Sequence, residues 1–175
     1  MSKILIGILT LTTLFGCATT PKDFDYKPST LLRTSGKLQV GNFNYIPAEE
    51  KSVERNQIKT TGKSKFFTEN DISHLFQNAM RLEFKHAGID VQSRSTNLLT
   101  GSINTVELND AGAETHTTTN INYLFNKNGK ECFNKTMTTK ITATKNLHLD
   151  GLVADSIKTN IEELLKDNSF LDCIK

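Results

Sequence analysis

The chain has no tryptophan, only three prolines and three cysteines, and no surplus of either charge. Its 21 basic side chains stand against 19 acidic ones, a net of +2. That near-balance excludes the marked basic excess of a dedicated nucleic-acid binder. The prolines (Pro21, Pro28, Pro47) all fall in the first third. No apolar run is long enough to stay in a membrane: residues 4–15 make twelve, about 18 Å of helix against a hydrocarbon core of about 30 Å. The motifs of familiar chemistries are missing too. The four histidines (His74, His86, His116, His148) show no His-Glu-x-x-His spacing and no Cys-x-x-Cys accompanies them, so no metal or cofactor is expected. Gly62-Lys63-Ser64 matches the end of a P-loop, but Gln57 stands where that loop needs its first glycine. His148, Asp150 and Ser156 are close in sequence, yet no Gly-x-Ser-x-Gly elbow presents the serine. A catalytic role is therefore not expected.

What is present begins at the N-terminus. Met1-Ser2-Lys3 is a short basic start, the apolar run follows, and it closes on Leu14-Phe15-Gly16-Cys17. A basic n-region, a short apolar h-region and a small residue before the cut make a secretory signal. The closing tetrapeptide resembles the bacterial lipobox, with Phe15 bulkier than the residue usual there. The resemblance implies cleavage before Cys17, a diacylglycerol thioether on its sulfur and acylation of the new amine. Three acyl chains exceed the two signals that firm anchoring needs. The alternative is an ordinary secreted protein with a coincidental cysteine. Ala18 in place of aspartate implies the outer membrane, with the domain facing the periplasm. The chain divides into a signal (1–16), a polar tether (17–36) and a folded domain (37–175).

In the domain, Leu38 and Val40 alternate, then Phe43 and Tyr45 alternate on the opposite parity; Gly41 between them reads as a bulge. Residues 46–67 read as a long polar connection. A capping box, Thr68 with Asp71, opens a helix whose stripe is Ile72, Leu75, Phe76, Ala79, Met80 and Ala87, ended by Gly88 as a left-handed cap. A short strand at 89–92 follows. Leu99, Gly101 and Ile103 then give way to Val106 and Leu108, implying a second bulge. Ile121, Tyr123 and Phe125 share odd parity with Phe133, Met137 and Ile141. A three-residue loop, Lys127-Asn128-Gly129, would pair odd with odd, place Leu124 opposite Cys132, and leave Thr118, Asn120, Asn122, Asn134, Thr136, Thr138 and Lys140 on a solvated face. A second helix is expected at about 152–166, with Ser169 and Asp172 capping a last turn. The order β-α-β-β-β-β-α reads as an α+β, two-layer sandwich: a mostly antiparallel four- to five-stranded sheet with two helices on one face.

Cys132 and Cys173 remain after Cys17 is assigned. In an oxidising periplasm they would form a disulfide; two separate thiols are the alternative. Lys59, Lys63 and Lys65 form the densest basic cluster, either an anion- or partner-binding loop or plain solvated charge. Glu83 and His86, three apart on the first helix, read as an acid–base pair or as flanking groups of its last turn.

Taken with Val40-Gly41-Asn42-Phe43, Ala87-Gly88-Ile89, Leu99-Thr100-Gly101-Ser102-Ile103 and residues 160–167, the lipobox makes the chain similar to short proteobacterial lipoproteins of the YajG type. That group implies location and fold more than task. Two functions are carried forward: a non-catalytic accessory lipoprotein that binds a protein partner in an envelope assembly, and a lipid- or glycan-binding carrier. Cys17→Ser is expected to abolish acyl labelling and to release the protein from the membrane fraction. Retention of the variant there would contradict the anchor.

Overall fold

Alternating side chains build a seven-stranded sheet, and two interruptions of that alternation shape it. The computed structural model describes residues 25–61, 65–144 and 148–175. Among these, the elements run β1 (Lys37–Tyr45), α1 (Ile46–Glu49), β2 (Gln57–Thr60), β3 (Phe66–Phe67), α2 (Ile72–Ala87), β4 (Asp90–Val91), β5 (Leu98–Asn109), β6 (Glu114–Lys127), β7 (Lys130–Thr144), α3 (Leu149–Lys166) and α4 (Asn168–Ile174). The expected series is β1-α2-β4-β5-β6-β7-α3 within this order. The connection 46–67 is not featureless: it holds α1, β2 and β3. Nor is the sheet purely antiparallel. β5 carries β1 and β2 in succession on one edge, both parallel to it, and β4 is parallel to β1. The pairs β5–β6, β6–β7 and β2–β3 are antiparallel, so the sheet is mixed.

Both expected bulges are present. In β1 the register passes from Val40↔Leu99 to Phe43↔Gly101, one residue gained. Carbonyls around that bulge are taken by side chains of α2: Gln77 Nε2 donates to Gly41 O at 2.5 Å and the Arg81 guanidinium to Val40 O at 3.1 Å. The bulge thus becomes a docking point for the helix. In β5 the shift lies between Ile103 and Thr105, leaving Asn104 as the extra residue.

The β6–β7 hairpin corrects one expectation and keeps another. Its turn is the two-residue Asn128-Gly129, with φ of 53° and 78°, the double left-handed geometry that twisted hairpins prefer. Lys127↔Lys130 and Asn126↔Glu131 pair odd with even, then Phe125 faces Phe133. Cys132 is the extra residue, and past it odd faces odd: Tyr123↔Lys135, Ile121↔Met137. The common parity of the apolar residues comes from this bulge, not from a longer loop. Leu124 consequently faces Asn134 rather than Cys132.

The capping box does not form. Asp71 is the N-cap of α2 and its side chain makes no cap bond; Thr68 is buried, with its hydroxyl on Asn56 O and Asn70 O. Gly88 does cap the other end, with φ of 98°. At the C-terminus the cap is Asp167, ahead of the expected Ser169 and Asp172: its carboxylate accepts from Ser169 N and Phe170 N and takes Lys135 Nζ of β7 at 2.7 Å. The Cys132–Cys173 disulfide closes the same corner, with Cα atoms 6.0 Å apart. Phe170, placed by α4, meets Phe84, Phe125 and Phe133 at ring-centroid distances of 5.9, 6.0 and 5.5 Å. In the chain-entropy account, a bridge spanning 41 residues stabilises by about 4 kcal/mol.

Two outcomes follow from this packing. Gly101 has the ring of Phe43 where a Cβ would be. Gly101→Val is expected to cost about 1–3 kcal/mol in urea unfolding, the overpacking range. Lys135 first, and then the Ser169 hydroxyl, hold the Asp167 carboxyl at about 2, below the 3.8 of a free aspartate. Its contribution is complete above about pH 4 and is lost as pH falls through about 2. Urea midpoints measured between pH 5 and 2 should therefore fall less steeply for Asp167→Asn than for the parent.

Candidate interaction surfaces

Cys17 and Lys63 lie outside the described residues. Lys59, on β2, and Lys65, just before β3, are both exposed. Cys132 and Cys173 are joined to each other. Glu83 and His86 part company: His86 is exposed, whereas Glu83 is fully buried.

Glu83 falls on the apolar stripe of α2, where a carboxylate can stay only if its lone pairs are filled. The donors come from the N-terminal stretch read as a polar tether. Tyr26 OH donates to Oε1 at 2.7 Å, the Ser29 amide to Oε1 at 3.1 Å and the Thr30 amide to Oε2 at 3.0 Å. Tyr26 and Thr30 are themselves buried. Burial first, and then the Glu83 carboxylate, push the Tyr26 phenol far above its ordinary value; Asp155 and Glu162 of α3 are close enough to add to the effect. Farther on, Thr34 N donates to Ala87 O at 2.9 Å and Asp90 N to Gly36 O at 2.9 Å. Residues 25–36 are thus a strap laid from the α2–α3 region past the end of α2 into β1. Its sequence signal was slight: a carboxylate on an apolar stripe, and a lone tyrosine in a polar stretch.

A second buried polar group fixes α3. Asn160 accepts from Tyr123 OH at 2.8 Å and donates to Met137 O at 3.2 Å; one turn earlier, the Ser156 hydroxyl meets that of Thr119 at 2.6 Å. Burial holds the Tyr123 phenol well above its ordinary value. Thr115, Thr117 and Thr119 are buried, the last against Ser156 of α3. Their odd numbering, shared with Ile121 and Tyr123, is the signal that placed them on the core side.

The opposite face is wet and ordered. Asn104 donates to Asn120 at 2.8 Å, Asn120 to Thr138 at 2.6 Å and Asn122 to Asn134 at 3.0 Å, which makes a ladder of amides and hydroxyls across β5, β6 and β7. Beside it lies the outer edge of β7. This fifteen-residue strand pairs with β6 alone among the described strands. A long edge of unpaired backbone groups is a ready template for another strand. β3 and β4, by contrast, end the sheet with two residues each.

One cleft, of about 370 Å³, opens where β1, α1 and the start of α2 meet. Phe43 and Tyr45 form part of its wall, and Glu49, Lys51, Arg55 and Asp71 contribute charges of both signs. Burial pushes the Tyr45 phenol up to about 12, and its OH donates to Gln57 O at 3.0 Å. Among the described residues no three His, Cys, Asp or Glu side chains are grouped to hold a metal ion. No helix there is long and apolar enough to cross a membrane.

No family model matches the sequence, and no curated protein matches it. Among solved structures, the chain is similar to protein XCC0632 from Xanthomonas campestris, assigned to the family model DUF330. The TM-score is 0.65, with 12% identity over 87% of this chain and 96% of that one. A minor lipoprotein from Acinetobacter baumannii gives a TM-score of 0.44 at 10% identity, over 77% and 92% of the two chains. Lipoprotein GNA1162 from Neisseria meningitidis gives 0.37 at 10% identity, over 75% and 99%. What the chain shares with the Xanthomonas protein is a fold.

Proposed function

We propose that this chain is a lipid-anchored outer-membrane lipoprotein, facing the periplasm, that serves a cell-envelope assembly as a non-catalytic binding component. The observation that carries the reading is the outer edge of β7, which no second strand covers among the described residues and which is flanked by a preordered ladder of asparagine and threonine; α4 occupies only its Cys132 end. An extended segment of a partner protein would add to it as a further strand, with backbone hydrogen bonds supplying affinity and the ladder side chains supplying selectivity. The lipobox at Cys17 supports the location, and the YajG-type resemblance accords with it.

The carrier reading has one observation in its favour, the mixed-charge cleft between β1, α1 and α2, whose size suits a sugar or a headgroup. The space between helices and sheet does not favour it, being filled by the core.

Photocrosslinking in cells separates the two. A photoreactive residue at Lys140 or Thr136 is expected to capture one protein in stoichiometric yield, and the same residue at exposed Asp155 on α3 is expected not to. Absence of any protein adduct from β7, with a lipid or glycan recovered from an Arg55 probe, would overturn the partner-binding role in favour of the carrier.

A further inference from the structure

The lipid anchor at Cys17, on which this inference rests, fixes one end of a segment whose other end the fold holds. From Cys17 to Tyr26 is nine peptide steps, at most about 31 Å of extended chain. A domain free up to Lys37 would have a reach of about 68 Å. The three hydrogen bonds to buried Glu83 remove more than half of that reach and also decide which side of the domain the anchor leaves from.

Leu31 lies on the outside of this strap. It is 88% exposed, the one large hydrophobic side chain so exposed among the described residues. Thr30 before it is buried and Leu32 after it is half-buried, so the backbone is held on both sides and Leu31 projects outward. Lys27 and Arg33 flank it, both exposed; Lys27 lies 3.6 Å from the exposed Asp25, and Arg33 Nη1 donates to Thr30 O and Leu32 O, which holds the guanidinium beside Leu31. An apolar side chain between two cations, a few tens of ångströms at most from an acylated cysteine, has the chemistry of a contact with a phospholipid surface bearing anionic headgroups. We infer that the strap is the side this protein turns to the bilayer, with Leu31 seated below the headgroups and Lys27 and Arg33 at their phosphates. The asparagine–threonine face, across the sheet from the helices, then looks away from the membrane, toward the space where a partner would approach.

The absence of tryptophan makes the test clean, since one introduced indole is the whole tryptophan signal. Full-length protein carrying Leu31→Trp or Thr136→Trp would be reconstituted in phosphatidylethanolamine–phosphatidylglycerol vesicles, with and without brominated acyl chains. Its acyl content would be read by intact mass. Bromination is expected to lower the emission of acylated Leu31→Trp at least twofold and to leave Thr136→Trp unchanged. Equal response of the two variants, or none from Leu31→Trp, in protein whose mass shows acylation would overturn the inference and leave the anchor standing. A mass without acyl chains would overturn the anchor, and this inference with it.

Discussion

A carboxylate withdrawn from water must be filled with hydrogen bonds or it destabilises the fold that buries it. Glu83 meets that requirement with three donors, none of them from the helix that carries it. The constraint works in both directions. The core of α2 depends on the N-terminal strap to satisfy its one buried charge, and the strap depends on Glu83 for its place. Whatever the N-terminus is attached to is thereby coupled to the side of the domain where α2 lies. For a chain whose first mature residue is read as an acylated cysteine, this converts a polar leader into a short, oriented mount.

The sheet behind α2 is set by register, and each register change has a structural use. The bulge at Gly41 exposes carbonyls that Gln77 and Arg81 take up, tying α2 to β1. The bulge at Cys132 moves that cysteine out of the alternation, where it bonds to Cys173 of α4. Asp167 then caps α4 and binds Lys135 of β7, while Phe170 fills the space among Phe84, Phe125 and Phe133. Asn160 holds α3 over β6 and β7 in the same manner as Glu83 holds the strap, by a buried polar group whose partners lie on other elements.

Periodicity made much of this legible. The stripe of α2, the cap at Gly88, both β1 and β5 bulges and the shared parity of β6 and β7 could all be read from spacing, because each is a local consequence of pleat or helical turn; the cysteine pair followed instead from the cysteine count and the oxidising compartment. The hairpin turn was misread because two-residue and three-residue solutions give the same parity once a bulge is allowed. β2 and β3 were missed because two to four residues are too few to display alternation, and β2 is held by its pairing with β5. The parallel pairing of β1 with β5 is a matter of topology, which side-chain alternation does not encode. The strap is barely legible because its hydrogen bonds span more than fifty residues and most of its donors are backbone amides, invisible in composition; only the apolar pair Leu31-Leu32 in a polar stretch hints at docking.

The central claim is that the strap is part of the folded domain, held by Glu83. Native-state hydrogen exchange at the amides of Ser29 and Thr30 tests it most directly, since both protons point at that carboxylate. The account predicts exchange slowed to the level of the buried turns of α2, in lipidated protein as in protein lacking the acyl chains. Exchange of those two amides at the rate of an unstructured peptide would contradict it.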